Sequence, residues 1–200
     1  MDSDFADKLK AALRENPPPQ KVALIPIPET RAAFPGNFKG SIQDAFNQYR
    51  NEYAGKDFED PRGVCVTLLE ENFPKLIKLR YQPDPSKPAQ RARAKAVLES
   101  LRNGTFDERK HFSEQPIRLR TLFWIKETIC NPDAIHTNCA ARIDGEEVYF
   151  KRYDRSGVDF KLVFTAIGYG GQRIVITSFL DEAVSLHKYC SKECLWPIKK

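Results

Sequence analysis

Apolar residues recur at helical spacing in three parts of the first two thirds of the chain. Over residues 41–53, one stripe is formed by Ile42, Ala45, Phe46 and Tyr49. A second helix is predicted over 88–102, because a proline opens the segment and Asn103-Gly104 provides a left-handed cap. A third is predicted over 116–130, just before Asn131-Pro132. These patterns predict a helix-rich first half.

The last third of the chain is rich in β-branched and aromatic residues at strand length. The segments are EVYFKRY (147–153), VDFKLVFTAI (158–167) and RIVITSFL (173–180). The glycine-rich loop GYGGQ joins the last two as a hairpin. We therefore expect an α+β fold, with N-terminal helices packed on a four- to five-stranded antiparallel sheet and a β-meander in the second half.

Shorter segments complete the pattern. The first 16 residues predict a helix that stops at three prolines, and residues 21–28 predict an extended segment at an edge or in a loop. VCVTLL (64–69) predicts a buried strand, and DEAVSLHKYC (181–190) predicts a short closing helix. We expect two units, a helical N-terminal extension or layer over 1–60 and an α+β domain over 61–200.

Composition and charge narrow the class of protein. The 200 residues are 41% hydrophobic and 30% charged, which excludes a wholly disordered chain. No apolar run approaches the roughly 20 residues that span a bilayer, and no signal peptide is visible. We therefore expect no membrane partner and a cytoplasmic location, in the producing cell or in a target cell. Residues 74–126 hold 13 Lys and Arg against 5 Asp and Glu, which indicates a polyanion-facing surface or, alternatively, solvated helix faces.

Five cysteines raise the question of metal binding. Without a secretory signal, we expect reduced thiols. Cys190 and Cys194 have a C-x3-C spacing that zinc sites permit, and His187 lies just upstream. The other candidate ligands, which are loosely spaced, are Cys130, His136 and Cys139. A zinc-stabilised interaction module stays as an alternative, and small buried thiols are the favoured interpretation.

The predicted helix over 116–130 carries polar side chains that packing does not require. Arg120, Trp124 and Glu127 stand at i, i+4 and i+7, so we expect them to share a face away from the apolar side. This face could bind an anion. It could equally be the surface of a salt-bridged helix with a half-buried Trp124, and both interpretations stay open.

The predicted strands place lysines among aromatic residues. Lys151 shares a strand face with Tyr149 and Tyr153, and Lys161 occupies the middle of the next strand. A lysine at such a position costs desolvation free energy unless its ammonium reaches water or an anion. The alternative is an edge strand on which lysines prevent aggregation.

Three stretches of the chain resemble a known group of nucleases. They are RTLFWIKETICNPDAI (120–135), EVYFKRY (147–153) and FKLVFTAIGYGGQRIVITSF (160–179). The order of the elements is an Arg-bearing helix that ends in Glu-Thr and Pro-Asp, then a Tyr-rich strand with a Lys, and then a hairpin that closes on V-x-T-x-F. This arrangement resembles the phage-associated nuclease domains grouped with barnase, EndoU, the colicin tRNases and RelE toxins, over about residues 64–179.

The resemblance implies a metal-independent ribonuclease without a cofactor, acting as a toxin or a phage-encoded effector. In such enzymes the RNA 2′-OH attacks the adjacent phosphate, which requires a base, an acid and cations on the phosphorane. Arg120 and Lys151 would stabilise the phosphorane, and Glu127 would act as base or hold a cation. Thr177 would hydrogen-bond the phosphate or orient a partner, and His111 would be the acid.

The resemblance also implies an RNA-binding surface and partners. The basic residues assigned to RNA binding are Arg91, Arg93, Lys95, Arg118, Lys161 and Arg173. RNA, with tRNA among the candidates, is the expected substrate, and an immunity or antitoxin protein is the expected protein partner. The alternative function is a non-catalytic nucleic-acid-binding or virion-associated protein on the same scaffold.

Overall fold

Five α-helices are found in the part of the chain that the structure describes. The computed structural model describes residues 36–80, 88–138, 145–153, 160–181 and 189–196. The helices are α1 (Ile42–Glu52), α2 (Phe73–Leu76), α3 (Pro88–Arg102), α4 (Pro116–Arg120) and α5 (Trp124–Cys130). Single 3-10 turns occur at Glu70–Asn72 and Tyr169–Gly171.

Seven strands in the described residues form one sheet. They are β1 (Asp57–Glu59), β2 (Cys65–Thr67), β3 (Ala134–Asn138), β4 (Glu147–Arg152), β5 (Phe160–Ile167), β6 (Arg173–Asp181) and β7 (Cys190–Trp196). Their order is β1-β2-β6-β5-β4-β3-β7. β2 pairs with β6 in parallel and every other neighbouring pair is antiparallel, so the sheet is mixed.

The α+β class is confirmed, but the architecture differs from the prediction in two ways. The sheet has seven strands of mixed direction instead of four to five antiparallel ones, because β1 and β2 extend it beyond β6 and β7 extends it beyond β3. The helices are not all N-terminal, since α4 and α5 lie in the middle of the chain, after β1 and β2. A strand of three residues is too short to show the alternation from which strands are predicted.

The helix α1 forms where its apolar stripe predicts it. Ser41 caps its start, because the Ser41 hydroxyl accepts from the Asp44 N–H while the Asp44 carboxylate accepts from the Ser41 N–H. Ile42, Phe46 and Tyr49 are buried in the main core, together with side chains of α2 and α3. Residues 36–60 therefore contribute to the same core as the rest of the described chain.

The segment over 116–130 is two helices instead of the one that its pattern predicts. Helix α4 ends at Arg120, and α5 begins at Trp124. The hydroxyl of buried Thr121 donates to the Ile117 carbonyl (2.8 Å), a bond of the kind that bends helices. The bend takes Arg120 and Trp124 off a common face, so Trp124 is buried while Arg120 and Glu127 are exposed.

The two faces of the sheet bury two apolar clusters. One face, which includes Tyr149, Val163 and Val175, belongs to the main core with the helices. The other carries a second cluster that includes Phe150 and Phe160. Lys151 and Lys161 are direct partners in the antiparallel register of β4 and β5, so both lysines project to the same face as Tyr149 and Val163.

Several sequence predictions fall partly or wholly outside the described residues. These are the helix over 1–16, the extended segment over 21–28 and most of the closing helix over 181–190. Cys190 itself begins β7, which the pattern does not predict. The division of the chain at residue 60 stays a prediction.

Candidate functional site

Two residues that the motifs single out, Glu127 and Lys151, form an ion pair. Lys151 Nζ lies 3.5 Å from Glu127 Oε1 and donates to the Asn131 carbonyl at the C-terminal end of α5. The Lys151 side chain is 10% exposed and that of Glu127 is 47% exposed. Asn131 Nδ2 also donates to Glu127 Oε2 (3.3 Å). A carboxylate open to solvent is thus held against a largely buried ammonium.

The position of Lys151 has a structural explanation as well. The last carbonyls of a helix lack partners within the helix, and a cation near them is favourable. Lys151 satisfies the carbonyl of Asn131, the residue that caps α5. The Glu127–Lys151 pair therefore stabilises the end of α5 whatever its chemical role.

A second group of predicted residues meets beside β6. Arg118 Nη1 donates weakly to Thr177 Oγ1 (3.4 Å), and its guanidinium lies over the Phe179 ring at 5.0 Å. Burial lowers the pKa of Arg118. In the described residues, no carboxylate forms an ion pair with Arg118. A half-buried guanidinium without a counter-ion is a feature typical of anion sites.

Lys161 lies behind this group and is fully buried. Its ammonium donates to Thr121 Oγ1 (3.3 Å) at the bend between α4 and α5. Burial, and then the charge of Arg118, lower the pKa of Lys161 to about 7. Because none of its surface reaches solvent, Lys161 does not contact RNA directly in this conformation. Its effect on a bound anion would act through Arg118 and Thr121.

Arg173 belongs to a different network at the start of β6. It pairs with Glu147 (3.0 Å) and donates to Thr165 Oγ1. Arg62 also pairs with Glu147 (2.7 Å) and with Asp60 (2.6 Å). The charge of Arg173 is thus matched by a carboxylate. It lies about 13 Å along β6 from Thr177, at 3.3 Å per residue.

The remaining predicted residues lie on α3 and on the loop that follows it. Arg93 and Lys95 are exposed on α3, and the side chain of Arg91 lies outside the described residues. His111 stacks on Phe106 with 5.6 Å between the ring centroids. The structure therefore joins Glu127 to Lys151 and Arg118 to Thr177. Where the chain is described, no hydrogen bond or ion pair links Arg120 to either group.

Arg120 instead lines a pocket that the sequence does not predict. The pocket has a volume of about 510 Å³ and lies between residues 37–40 and α4. Its second cation is Lys39. The Phe38 N–H donates to the Arg120 carbonyl (2.8 Å), which brings the two segments together. Since this contact joins residues 82 positions apart, no local pattern predicts it.

The described residues contain neither a cluster of metal ligands nor a helix that could span a membrane. No three His, Cys, Asp or Glu side chains among those described lie close enough to hold a metal ion. Among the described cysteines, Cys65, Cys130 and Cys194 are not in disulfides. His187 and Cys139, candidate zinc ligands, lie outside the described residues. No described helix is both long and apolar enough to cross a bilayer.

Comparisons of the chain with protein-family models, with curated proteins and with solved structures found no match. The features of the chain that bear on its function are the Glu127–Lys151 pair, the Arg118–Thr177 contact and the pocket beside Arg120.

Proposed function

We propose that the protein is a metal-independent endoribonuclease. The observation that carries the proposal is the Glu127–Lys151 pair, in which a solvent-accessible carboxylate lies 3.5 Å from an ammonium. Cleavage of RNA by its own 2′-OH needs a base for that hydroxyl and a cation for the phosphorane. Glu127 and Lys151 supply one of each at a single place on the surface.

The proposed reaction is an internal transfer of the phosphate. Glu127 takes the 2′-OH proton as the 2′-oxygen forms its bond to phosphorus, and Lys151 stabilises the negative charge of the phosphorane. The bond from phosphorus to the 5′-oxygen then breaks, and a proton donor converts that oxygen to a hydroxyl. The products are a 2′,3′-cyclic phosphate and a free 5′-OH, and His111 is the predicted proton donor.

The cationic surroundings support binding of a phosphodiester close to this pair. Lys161 is the register partner of Lys151, and Arg118 is close enough to lower the Lys161 pKa. Because Lys161 is fully buried and its charged form is disfavoured, the cations beside the pair are Lys151 and Arg118. Among the described residues, Glu127 is the one carboxylate that forms an ion pair with either of them. Positive charge in excess of negative charge favours a polyanion, and binding is then expected to weaken with added salt.

The test is digestion of total RNA by the purified chain, with and without EDTA, followed by mapping of the ends. We expect cleavage in EDTA with cyclic phosphate ends, and a loss of about 100-fold or more for Glu127→Gln. Glu114→Gln is the matched control, because Glu114 is exposed on the loop before α4. Intact RNA under all conditions, or full activity of Glu127→Gln, would refute the proposal.

The second candidate is a non-catalytic nucleic-acid-binding protein. It is favoured by exposed cations away from the Glu127–Lys151 pair, namely Arg93 and Lys95 on α3. In the described residues neither forms an ion pair, so both are available to phosphates. Binding of RNA that falls with salt, without any cleavage, would select this function over the first.

A further inference from the structure

The pocket beside Arg120 is built by the bend between α4 and α5. Besides the bond from Phe38 to the Arg120 carbonyl, the Trp124 indole N–H donates to the Gly36 carbonyl (2.8 Å). These two bonds hold the segment 36–40 on both sides of the bend. The residues that line the cavity are Asn37, Phe38, Lys39, Gly40, Pro116, Leu119 and Arg120.

The charges of the pocket favour an anion. Lys39 and Arg120 are both exposed, and within the described chain neither forms an ion pair. Asp44 on α1 and Glu108 on the loop after α3 both bond to groups at the start of α1, and neither forms an ion pair with Lys39 or Arg120. Asp44 accepts from the N–H and hydroxyl of Ser41. Glu108 accepts from the Ile42 N–H (2.7 Å). The two cations of the pocket are therefore left for a ligand.

Apart from Asn37 and the backbone of Gly40, the remaining walls are apolar. Phe38, Leu119 and Pro116 lie between and beside the two cations, and Phe123 packs edge-on against the Phe38 ring (5.3 Å). A ligand that satisfies this lining has an anionic group and a flat, weakly polar body. A volume of about 510 Å³ falls in the range that holds a small organic ligand, roughly 300–1,000 Å³.

We infer that this pocket binds one nucleotide unit. The phosphate lies between Lys39 and Arg120, and the base lies against Phe38 and Leu119. Arginine is well suited to phosphate, and an aromatic wall accepts any base by stacking. With RNA as the source of the nucleotide, the inference rests on the proposed function. The pocket then positions the strand and is separate from the Glu127–Lys151 pair.

The test is calorimetric titration of the full chain with AMP, with inorganic phosphate and with a 2′-deoxy tetranucleotide that has no terminal phosphate. We expect AMP to bind more tightly than phosphate, because only AMP uses the apolar walls. Arg120→Gln and Lys39→Gln should each weaken AMP about tenfold or more. The control Arg109→Gln, a change at an exposed arginine on the loop after α3, should stay within about twofold of the wild type.

The titrations distinguish a nucleic-acid strand from a free nucleotide as the source of the phosphate. They also test the pocket separately from the proposed ribonuclease activity. Tighter binding of the tetranucleotide than of AMP assigns the pocket to a strand, and the reverse assigns it to a free nucleotide. AMP binding that persists in Glu127→Gln supports the pocket even if the wild type cleaves no RNA. Equal binding of phosphate and AMP, or unchanged AMP binding in both pocket variants, overturns the inference even if RNA is cleaved.

Discussion

Replacing Lys161 by methionine should stabilise the protein and remove a specific pH dependence. Lys161 is fully buried on β5. Its ammonium donates a hydrogen bond to Thr121 Oγ1. It is faced by the cation of Arg118 from α4 and lies opposite Lys151 on β4. No carboxylate in the described residues pairs with it. The charged form of Lys161 is therefore disfavoured in the folded state.

The magnitude follows from the pKa. Burial and Arg118 lower the pKa of Lys161 from 10.5 to about 7. Each pH unit between these values is worth about 1.4 kcal/mol, so folding of a chain with a charged lysine costs about 5 kcal/mol at most. Below pH 7 this cost is complete. Between pH 7 and 10.5 the unfolded chain binds the extra proton, so the stability of the wild type rises with pH, and above 10.5 the cost is gone.

Urea unfolding of wild type and Lys161→Met from pH 6 to pH 10 measures this difference. Methionine has a similar length, and Thr121 keeps its bond to the Ile117 carbonyl, so the variant leaves no buried hydroxyl without a partner. We expect the variant to be more stable by about 2–4 kcal/mol at pH 7, with a gap that closes as pH rises. Lys95→Met, a change at an exposed lysine of α3, is the control for loss of a positive charge.

The difference between the two free energies is the decisive quantity, because other titrating groups are common to both chains. A gap that does not change between pH 7 and pH 10 would show that Lys161 stays charged in the folded protein, as it does in the unfolded chain, and would refute the lowered pKa. A variant less stable than the wild type at pH 6 would refute the desolvation argument itself.

Two further changes probe the contacts that hold the fold and the pocket. Arg62→Leu should lower the free energy of unfolding by about 3–5 kcal/mol in urea, because buried Asp60 loses its cation and Glu147 keeps Arg173. Burial raises the pKa of Asp60, but hydrogen bonds from Arg62 and Tyr149 lower it overall, so the loss should shrink at acid pH as Asp60 protonates. A loss below about 1 kcal/mol would contradict this. Trp124→Phe should cost about 1–2 kcal/mol and weaken AMP binding, because the Gly36 carbonyl loses its indole donor; unchanged AMP affinity would separate that bond from the pocket.

The local patterns of the sequence predict the helices and strands that bury a regular apolar face. The helix predicted over 88–102 is found as α3 with the same bounds, and the stripe of α1 is fully buried. Strands β4, β5 and β6 lie within or close to the segments with β-branched and aromatic residues. These elements are predictable because their own residues supply the pattern.

The remaining elements depend on distant partners. Strands β1 and β7 form by pairing with β2 and β3, and their own residues show little alternation. The bend after Arg120 depends on the Thr121 hydroxyl, which bonds back to Ile117 and accepts from Lys161 on β5. The apolar spacing of Leu122 and Ile125 predicts that the helix continues through this position.

The sequence predicts many residues of the candidate site but does not predict which of them lie next to one another. Glu127 and Lys151 are both named by the motifs, yet their contact requires the end of α5 to lie over β4. Arg118 contacts Thr177, 59 positions further along the chain, and no local pattern predicts that contact. No sequence pattern singles out Lys39. It joins the pocket only because its segment bonds to the Arg120 carbonyl, through the Phe38 N–H.

The bend between α4 and α5 connects these groupings. On one side of it, the Arg120 carbonyl and the Trp124 indole hold the segment that forms the pocket. On the other side, Thr121 receives the hydrogen bond of Lys161. A buried lysine without a counter-ion reduces stability, and a methionine there would pack without that cost. Because the Lys161 ammonium bonds to Thr121, the bend contacts β5 on one side and the pocket segment on the other, while α5, which follows it, carries Glu127.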